Sequence, residues 1–252
     1  MELIVLGCSG SGAGPRSAAS GYLVRTGSTS VVMDLGNGTF GALQRHLDPF
    51  ALDAVVLSHL HPDHCADVSG LIVHRRYHPQ GHGRVLPLHG PSESEVRLAV
   101  AYAPSSDERV ATDLSDVFDY HVFVDGPARI GDLALSSLPV DHPCEAYAVR
   151  LEHDGRVLVY SGDTGPCDNL VELARDADVL LCEATWTDDP ERPPGVHLSG
   201  RQAGEAARKA GVGRLLITHV PAWYDGEVLL AEAREVFDGP SELVVPDGTY
   251  TI

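Results

Sequence analysis

The chain reads as an α/β protein of one domain, residues 1–252, with two sheets packed between helices. Three observations predict this. Short apolar, β-branched runs recur from the first residues to the last, and helical apolar periodicity lies among them. Strands cluster early and in the middle, while strand–helix alternation dominates the second half, which argues against one doubly wound parallel sheet. No fixed-period repeat and no long linker divides the 252 residues.

In chain order, strands are expected at 3–6, 22–25 and 30–34, then a helix at 39–47 and a strand at 53–57. Helix 66–78, strand 85–89 and helix 92–102 follow. Strands 120–124, 133–138, 146–151 and 156–160 form a run, succeeded by helix 168–175 and strand 178–182. Helix 200–210 starts at Ser199, which has capping-box spacing to Gln202, and carries the stripe Ala203, Ala206, Ala207, Ala210. Strand 214–218, helix 227–237 capped by Asp225, and strand 243–245 complete the chain. The stretch 184–198 has no periodicity, and a loop of that length in a compact domain is usually functional.

Composition excludes several classes. No run of 18 uncharged apolar residues exists, so no membrane span is expected, and Met1–Leu6 lacks the basic region of a signal peptide. Acidic residues outnumber basic ones 36 to 18, and Lys209 is the only lysine. A net charge of −18 repels polyanions, so a long nucleic acid is disfavoured as partner, although a small anion held by metal ions is not. Five cysteines (Cys8, Cys65, Cys144, Cys167, Cys182), with no CxxC spacing, indicate a reducing cytoplasm and small core residues instead of disulfides.

The chemistry concentrates at Ala54–His64. An apolar β-branched run feeds Ser58-His59-Leu60-His61-Pro62-Asp63-His64. In extended chain, positions i and i+2 share a face, so His59 and His61 can bind one ion. The chain turns at Pro62, and Asp63 and His64 open a helix aimed elsewhere, so one segment can serve two metal sites. A surface histidine-rich loop is the bland alternative, and the strand in front argues against it. Further ligands are sought where other apolar strands end: His142 after Leu138-Pro139-Val140-Asp141, Asp163 after Tyr160-Ser161-Gly162, and His219 after Ile217-Thr218. Each alone is commonplace. Together they make seven ligands, enough for two ions if Asp163 bridges. Imidazole and carboxylate donors suit Zn2+ first, with Mn2+ or Fe as alternatives.

These motifs resemble the metallo-β-lactamase superfamily, and more closely its ribonuclease Z-like branch. The likeness is carried by His-Leu-His-Pro-Asp-His (59–64), His142, Ser161-Gly162-Asp163-Thr164, Glu183-Ala184-Thr185, His197-Leu198-Ser199, Thr218-His219 and Asp34-Leu35-Gly36-Asn37-Gly38-Thr39. It implies a four-layer αββα sandwich with a dinuclear site at one edge. By that resemblance His59, His61, His142 and Asp163 hold one ion, and Asp63, His64, His219 and the shared Asp163 hold the other. A metal-activated hydroxide then attacks phosphorus, with Asp63 orienting the water. His197 donates a proton or hydrogen bond to the phosphoryl or leaving oxygen, and Glu183 orients its ring.

The substrate follows from what the chain lacks. Transfer-RNA-processing members of bacteria carry a protruding arm between the third and fourth ligand motifs, but His142 and Asp163 are only 21 positions apart. A compact, arm-free chain of this kind is similar to the atypical class II cyclic-nucleotide phosphodiesterases. That likeness includes Leu6–Ser11, Gly41–His46, Arg75–Pro79 and His197–Gly200. It implies hydrolysis of 3′,5′-cyclic nucleotides, cyclic AMP preferred, to 5′-nucleotides. A ribonuclease Z-type endonuclease is the alternative; the resemblance also implies a homodimer, for which the sequence offers only the exposed-looking helix 70–79 as an interface.

Other features receive plainer readings. Gly36-Asn37-Gly38-Thr39-Phe40-Gly41 matches a dinucleotide fingerprint, but the next strand ends in Ser58-His59 where an acidic residue is required; a tight turn buttressed by Asp34 fits better. The Gly7–Gly14 stretch lacks a P-loop ending, and either lines the pocket or is a flexible loop. His74 and His78 share a helix face and are read as packing. Trp186 and Trp223 follow Glu183 and His219 and are read as core, with stacking on a base as the alternative.

Overall fold

The computed structural model describes residues 1–109, 112–123 and 128–252. The first sheet runs in the order β14 (Thr249–Thr251), β1 (Glu2–Gly7), β2 (Gly21–Arg25), β3 (Ser30–Leu35), β4 (Ala54–Val56), β5 (Leu86–Gly90) and β6 (Phe118–Val122). The second runs β13 (Ser241–Leu243), β12 (Leu215–Thr218), β11 (Val179–Glu183), β10 (Arg156–Tyr160), β9 (Tyr147–His153), β8 (Leu133–Pro139) and β7 (Ala128–Ile130). Each sheet is mixed. β3 to β6 are mutually parallel, as are β10 to β13, while β1–β2–β3 and β7–β8–β9–β10 pair antiparallel.

Residue alternation along the strands builds the layers. Leu3 and Val5 of β1 point between the sheets, where they meet Val31, Met33, Val149, Leu151, Leu158 and Leu181. Ile4 and Leu6 point the other way, into a core shared with α1 (Thr39–His46), α3 (Val68–Tyr77) and α4 (Ser94–Tyr102). The outer face of the second sheet, including Val159, Leu180 and Ile217, packs on α5 (Asp168–Leu173), α6 (Gly200–Ala210) and α7 (Gly226–Arg234). The period of two thus sends each strand's apolar residues into two cores, giving the order helices, sheet, sheet, helices. β11 is buried at all five positions, as a central parallel strand covered on both faces must be.

Local chemistry places the ends. Ser199 and Gln202 form the anticipated capping box at the start of α6, and the Asp225 side chain caps α7. Gly204 lets α6 approach α7 closely: a Cβ there would stand 2.5 Å from the Ala233 carbonyl. Two strands went unanticipated, β7 and β14, each of three residues with only one buried, so neither carries a readable alternation. The expected strand 120–124 is found as Phe118–Val122, and its last position lies outside the described residues. The expected helix 227–237 ends earlier, at Arg234. The expected helix 66–78 is found as α3, Val68–Tyr77, and a short α2 (Pro62–Cys65) precedes it.

Polar bonds stitch the two sheets together at both ends: Thr26 and Ser28, in the turn after β2, each donate a hydroxyl hydrogen bond of 2.8 Å to Asp132, before β8, and a second set lies at the opposite edge. Tyr22 and Thr218 share a hydroxyl hydrogen bond of 2.6 Å, the Tyr160 hydroxyl donates to Asp34 at 2.8 Å, and the Tyr147 amide donates to the Ser58 carbonyl at 3.0 Å. Among the described residues, no helix is long and apolar enough to cross a membrane.

Candidate metal centre

The edge that carries this second set is where the parallel strands end. β4 delivers His59 to His64; β8, β10, β11 and β12 deliver His142, Asp163, Glu183 and His219. Strand exits at the carboxyl edge of a parallel sheet are the usual place for reactive groups, because backbone there leaves the ladder and side chains converge. Pro62 at the first turn of α2 breaks the extended run, so His59 and His61 precede the helix while Asp63 and His64 lie within it.

The seven ligand residues expected from the sequence come together in two adjoining groups. One is His59, His61 and His142; the other is Asp63, His64, Asp163 and His219. His59 Nε2 lies 3.1 Å from His61 Nδ1, which in turn lies 3.2 Å from His142 Nε2. Asp163 stands between the groups: its Oδ1 is 3.2 Å from His64 Nε2, and its Oδ2 is 3.3 Å from His219 Nε2 and 3.6 Å from His59 Nε2. Asp63 Oδ2 is 3.7 Å from His64 Nε2 and 3.9 Å from His219 Nε2.

Outward-facing nitrogens are held by the protein. His64 Nδ1 donates to Asp34 Oδ2 at 2.7 Å, and His142 Nδ1 donates to the Val196 carbonyl at 2.8 Å. His219 Nδ1 is 2.8 Å from the Ser20 hydroxyl, and His59 Nδ1 is 3.1 Å from that of Ser58. Such contacts fix each ring's tautomer and aim the other nitrogen inward, which is how metal-binding histidines are oriented. Ser20, Ser58, Tyr160 and the Val196 carbonyl are additions to the expected set. A serine before a strand and a backbone carbonyl have no sequence signature, so only the folded arrangement reveals them. Asp34 does more than the sequence suggested: its carboxylate turns away from the Gly36–Gly41 turn and toward Ser58, His64 and Tyr160. Both Asp34 and His219 hold positive φ, +56° each, a left-handed backbone that non-glycine residues adopt at a cost.

The donor set fits a pair of divalent cations. His64 Nε2, His219 Nε2 and Asp163 Oδ1 are enclosed and make no aligned hydrogen bond among the described residues. Buried polar atoms are rarely left so, and three of them converging on one space is what cations would satisfy. Charge says the same. Burial disfavours the charged form of His64, but Asp163 and Asp34 outweigh it and hold the ring protonated well above the usual imidazole range. Burial, and then His64, push His59 well below that range; burial likewise lowers His142 and His219. Burial opposes ionisation of Asp163, but His219, His64 and His59 hold it well below the carboxylate range.

His197 stands beside this cluster with Glu183 and Asp163. Its Nδ1 lies 2.8 Å from Glu183 Oε1, and Glu183 is itself fixed by the Thr164 amide and the Thr185 hydroxyl, both at 2.8 Å. Burial would lower His197, but the Glu183 carboxylate overrides it and lifts the ring to about 9. The Glu183 contact engages Nδ1 and so fixes the orientation of the His197 ring.

Several plainer expectations are revised. Trp223 is 71% exposed and no core residue; Trp186 is half-buried with its ring edge-on to His197 at 5.2 Å. Cys65 and Cys182 are buried as anticipated, but Cys144 is exposed, its sulfur 3.9 Å from His61 Nε2. The Gly7–Gly14 stretch packs on the site: a Cβ on Gly10 would stand 2.2 Å from the His219 carbonyl. His74 and His78 stack on each other and on Phe50, as packing residues.

Two mixed sheets between helical layers, with a histidine–carboxylate cluster at the carboxyl edge, define the metallo-β-lactamase fold. Residues 29–220 match the beta-lactamase superfamily domain, and the chain belongs to that family. A protein of Mycobacterium leprae is 51% identical to it over 256 residues, covering 100% of this chain and 89% of its own length. The probable metallo-hydrolase YhfI of Bacillus subtilis is 30% identical over 95% of both chains. The YhfI crystal structure superposes with a TM-score of 0.87 at 27% identity, covering 99% of this chain and 98% of that one. A ribonuclease Z of Kineococcus radiotolerans is 32% identical, covering 92% of this chain and 88% of its own. The chain is thus a metallo-hydrolase family member with ribonuclease Z-like relatives.

Proposed function

We propose that the protein is a dinuclear-metal phosphodiesterase that hydrolyses small cyclic phosphodiesters, the 3′,5′-cyclic nucleotides, with cyclic AMP preferred, to 5′-nucleotides. The observation that carries this reading is the pair of adjoining ligand groups sharing Asp163, with the His197–Glu183 pair directly beside them. His59, His61, His142 and Asp163 would hold one ion; Asp63, His64, His219 and Asp163 the other. Divalent cations here, Zn2+ first by donor type with Mn2+ or Fe as alternatives, supply Lewis-acid charge to a phosphoryl oxygen and acidify water.

The chain's own groups supply the rest. Asp63, with one oxygen near His64 and His219, orients the attacking water. Hydrolysis forms one P–O bond to the water oxygen and breaks the P–O3′ bond. His197 Nε2 protonates the departing O3′, and Glu183 keeps the ring turned so that this nitrogen serves. A net charge of −18 leaves a long polyanion disfavoured, while a single phosphodiester is tolerated.

The ribonuclease Z reading draws on the 32% identity to the Kineococcus enzyme. Against it stands the segment between His142 and Asp163, which β9 and β10 fill, leaving no protruding arm there. A second copy of the chain on α3, where Val73 is 48% and Tyr77 70% exposed, belongs to the same proposal and is tested by light scattering.

Purified, metal-loaded protein is offered cyclic AMP, cyclic GMP, bis(p-nitrophenyl) phosphate and precursor transfer RNA. The expected result is 5′-AMP release well above that of an Asp163→Ala control. Precursor cleavage far outpacing cyclic AMP turnover would transfer the assignment to the endonuclease, and no turnover of any diester would end it.

A further inference from the structure

The 184–198 loop encloses a cavity of about 170 Å3 beside the ligand cluster, and His197 belongs to the walls of both. Trp186 forms one side, its ring edge against the His197 imidazole at 5.2 Å. Pro190, Pro193 and Pro194 line another part, and three prolines stiffen a loop that has almost no regular structure of its own. The Arg192 guanidinium lies 5.8 Å from the Trp186 ring centroid and 5.9 Å from that of Tyr224, so two aromatic rings hold it in place.

Arg192 has no carboxylate partner among the described residues, and its Nε is enclosed without an acceptor. Asp188, which shares the cavity wall, is already engaged: it accepts from the Ser199 hydroxyl at 3.0 Å and pairs with Arg201 at 3.2 Å. An enclosed N–H without a partner leaves hydrogen-bonding capacity for something else to satisfy. A second phosphate is a poor occupant, because Asp188 and Asp189 both line the cavity and repel an anion. A flat, neutral ring bearing ring-nitrogen or carbonyl acceptors matches an indole wall, proline walls and an arginine fork.

From this arrangement we propose that the cavity is a nucleobase subsite, in which Trp186 stacks on the base and Arg192 donates to an acceptor on its edge. The inference rests on the phosphodiesterase reading for its substrate: with the phosphate at the ligand cluster, the base of the same molecule lies past His197 in the loop. Trp186 and Arg192 are then specificity-determining residues, which select a nucleotide over other diesters without entering the bond-breaking step.

The test compares kcat/KM for cyclic AMP with that for its base-free counterpart, the 3′,5′-cyclic phosphate of 1-deoxyribose. Trp186→Ala should lower the cyclic AMP to base-free ratio roughly ten- to a hundredfold, through KM more than kcat. Arg192→Ala should lower it by a smaller factor. A ratio unchanged in both variants, with bound metal equal to wild type, overturns the proposal. A second measurement does not depend on turnover. In a Trp223→Phe background Trp186 is the only indole, and a non-hydrolysable phosphorothioate of cyclic AMP should quench its fluorescence. Quenching without turnover of any diester keeps the subsite and removes the phosphodiesterase reading. Turnover without quenching, and with an unchanged ratio, removes the subsite and keeps the reading.

Discussion

His64 and His89 are both buried imidazoles on the first sheet's side of the sandwich, and they are tuned in opposite directions. His64 meets two carboxylates, Asp34 at 2.7 Å and Asp163 at 3.2 Å, which overcome burial and keep it protonated. His89 stacks on His121 at 4.8 Å; burial, and then that neighbouring ring, drive it down to about 4. Asp119, 3.1 Å from His121 on an exposed strand, is too weak to reverse this. Burial alone empties a histidine of its proton, and a pair of enclosed carboxylates reverses the outcome. The negative charge that holds a proton at His64 is also the charge that holds a cation, so ion binding there must expel that proton.

The sharpest way to break this contrast is at Asp163. Asp163→Ala removes the residue shared by both ligand groups, and diester turnover should fall by more than about a thousandfold, the upper range for losing one preorganised electrostatic partner. Metal analysis should show fewer ions per chain. A variant that kept its metal and its rate would refute the shared-ligand arrangement.

Chelation probes the same charge from the cation side. If ions bind the folded chain at a thousandfold their dissociation constants, removing them costs about 4 kcal/mol. For a chain of this size that corresponds to a melting point lower by roughly 10 °C. Scanning calorimetry with and without chelator reads it, and coincident transitions would contradict a metal-stabilised site.

Asp34→Asn should act more gently. It weakens the hold on His64 Nδ1 without touching a metal-facing atom, so metal affinity should fall about 10- to 100-fold. Ser20→Ala, which frees His219 in the same way through a neutral partner, should fall at the lower end. Competition titration with a chromophoric chelator ranks the two, and Ser20→Ala exceeding Asp34→Asn would reverse the proposed hierarchy.

His89 gives the smallest effect. Its folded-state pKa lies below the ordinary value near 6.5, so its contribution is complete above that pH and is lost as pH falls toward 4. His89→Gln should therefore lose about 1–2 kcal/mol less stability than wild type between pH 7.5 and pH 5. Urea unfolding of the metal-free proteins at both pH values measures the difference. Parallel losses would show that His89 is wetter than its packing implies.

The two sheet halves of the site differ in how far sequence reveals them. The first sheet supplies His59, His61, Asp63 and His64 within one turn, and their spacing alone points to metal. The second supplies His142, Asp163 and His219, each a single polar residue after an apolar strand and legible only in combination, and Glu183 and His197, legible only through family resemblance. The holders of the ring nitrogens, Ser20 and the Val196 carbonyl, are legible in neither way, because they act across sheets and through backbone. Among the elements, long strands announced themselves by alternation. β7 and β14, edge strands with a single buried residue each, could not. Trp223 misled for a related reason: a large aromatic beside a strand exit is ordinarily covered, and here the loop after β12 carries it outward.

Beside the ligands, hydroxyls, amides and carboxylates bridge the β-layers at Tyr22–Thr218, Tyr160–Asp34 and Tyr147–Ser58, and at the far end Asp132 ties its layer to Thr26 and Ser28. Between these two ends the layers meet through hydrocarbon, which has no preferred alignment and lets one layer creep past another at little cost. These few directional links act as dowels, setting how far the half carrying His59 and His64 stands from the half carrying Asp163 and His219. Spacing between the two ligand groups is thereby written into the interior of the sandwich, through Ser58 beside His59 and Thr218 beside His219.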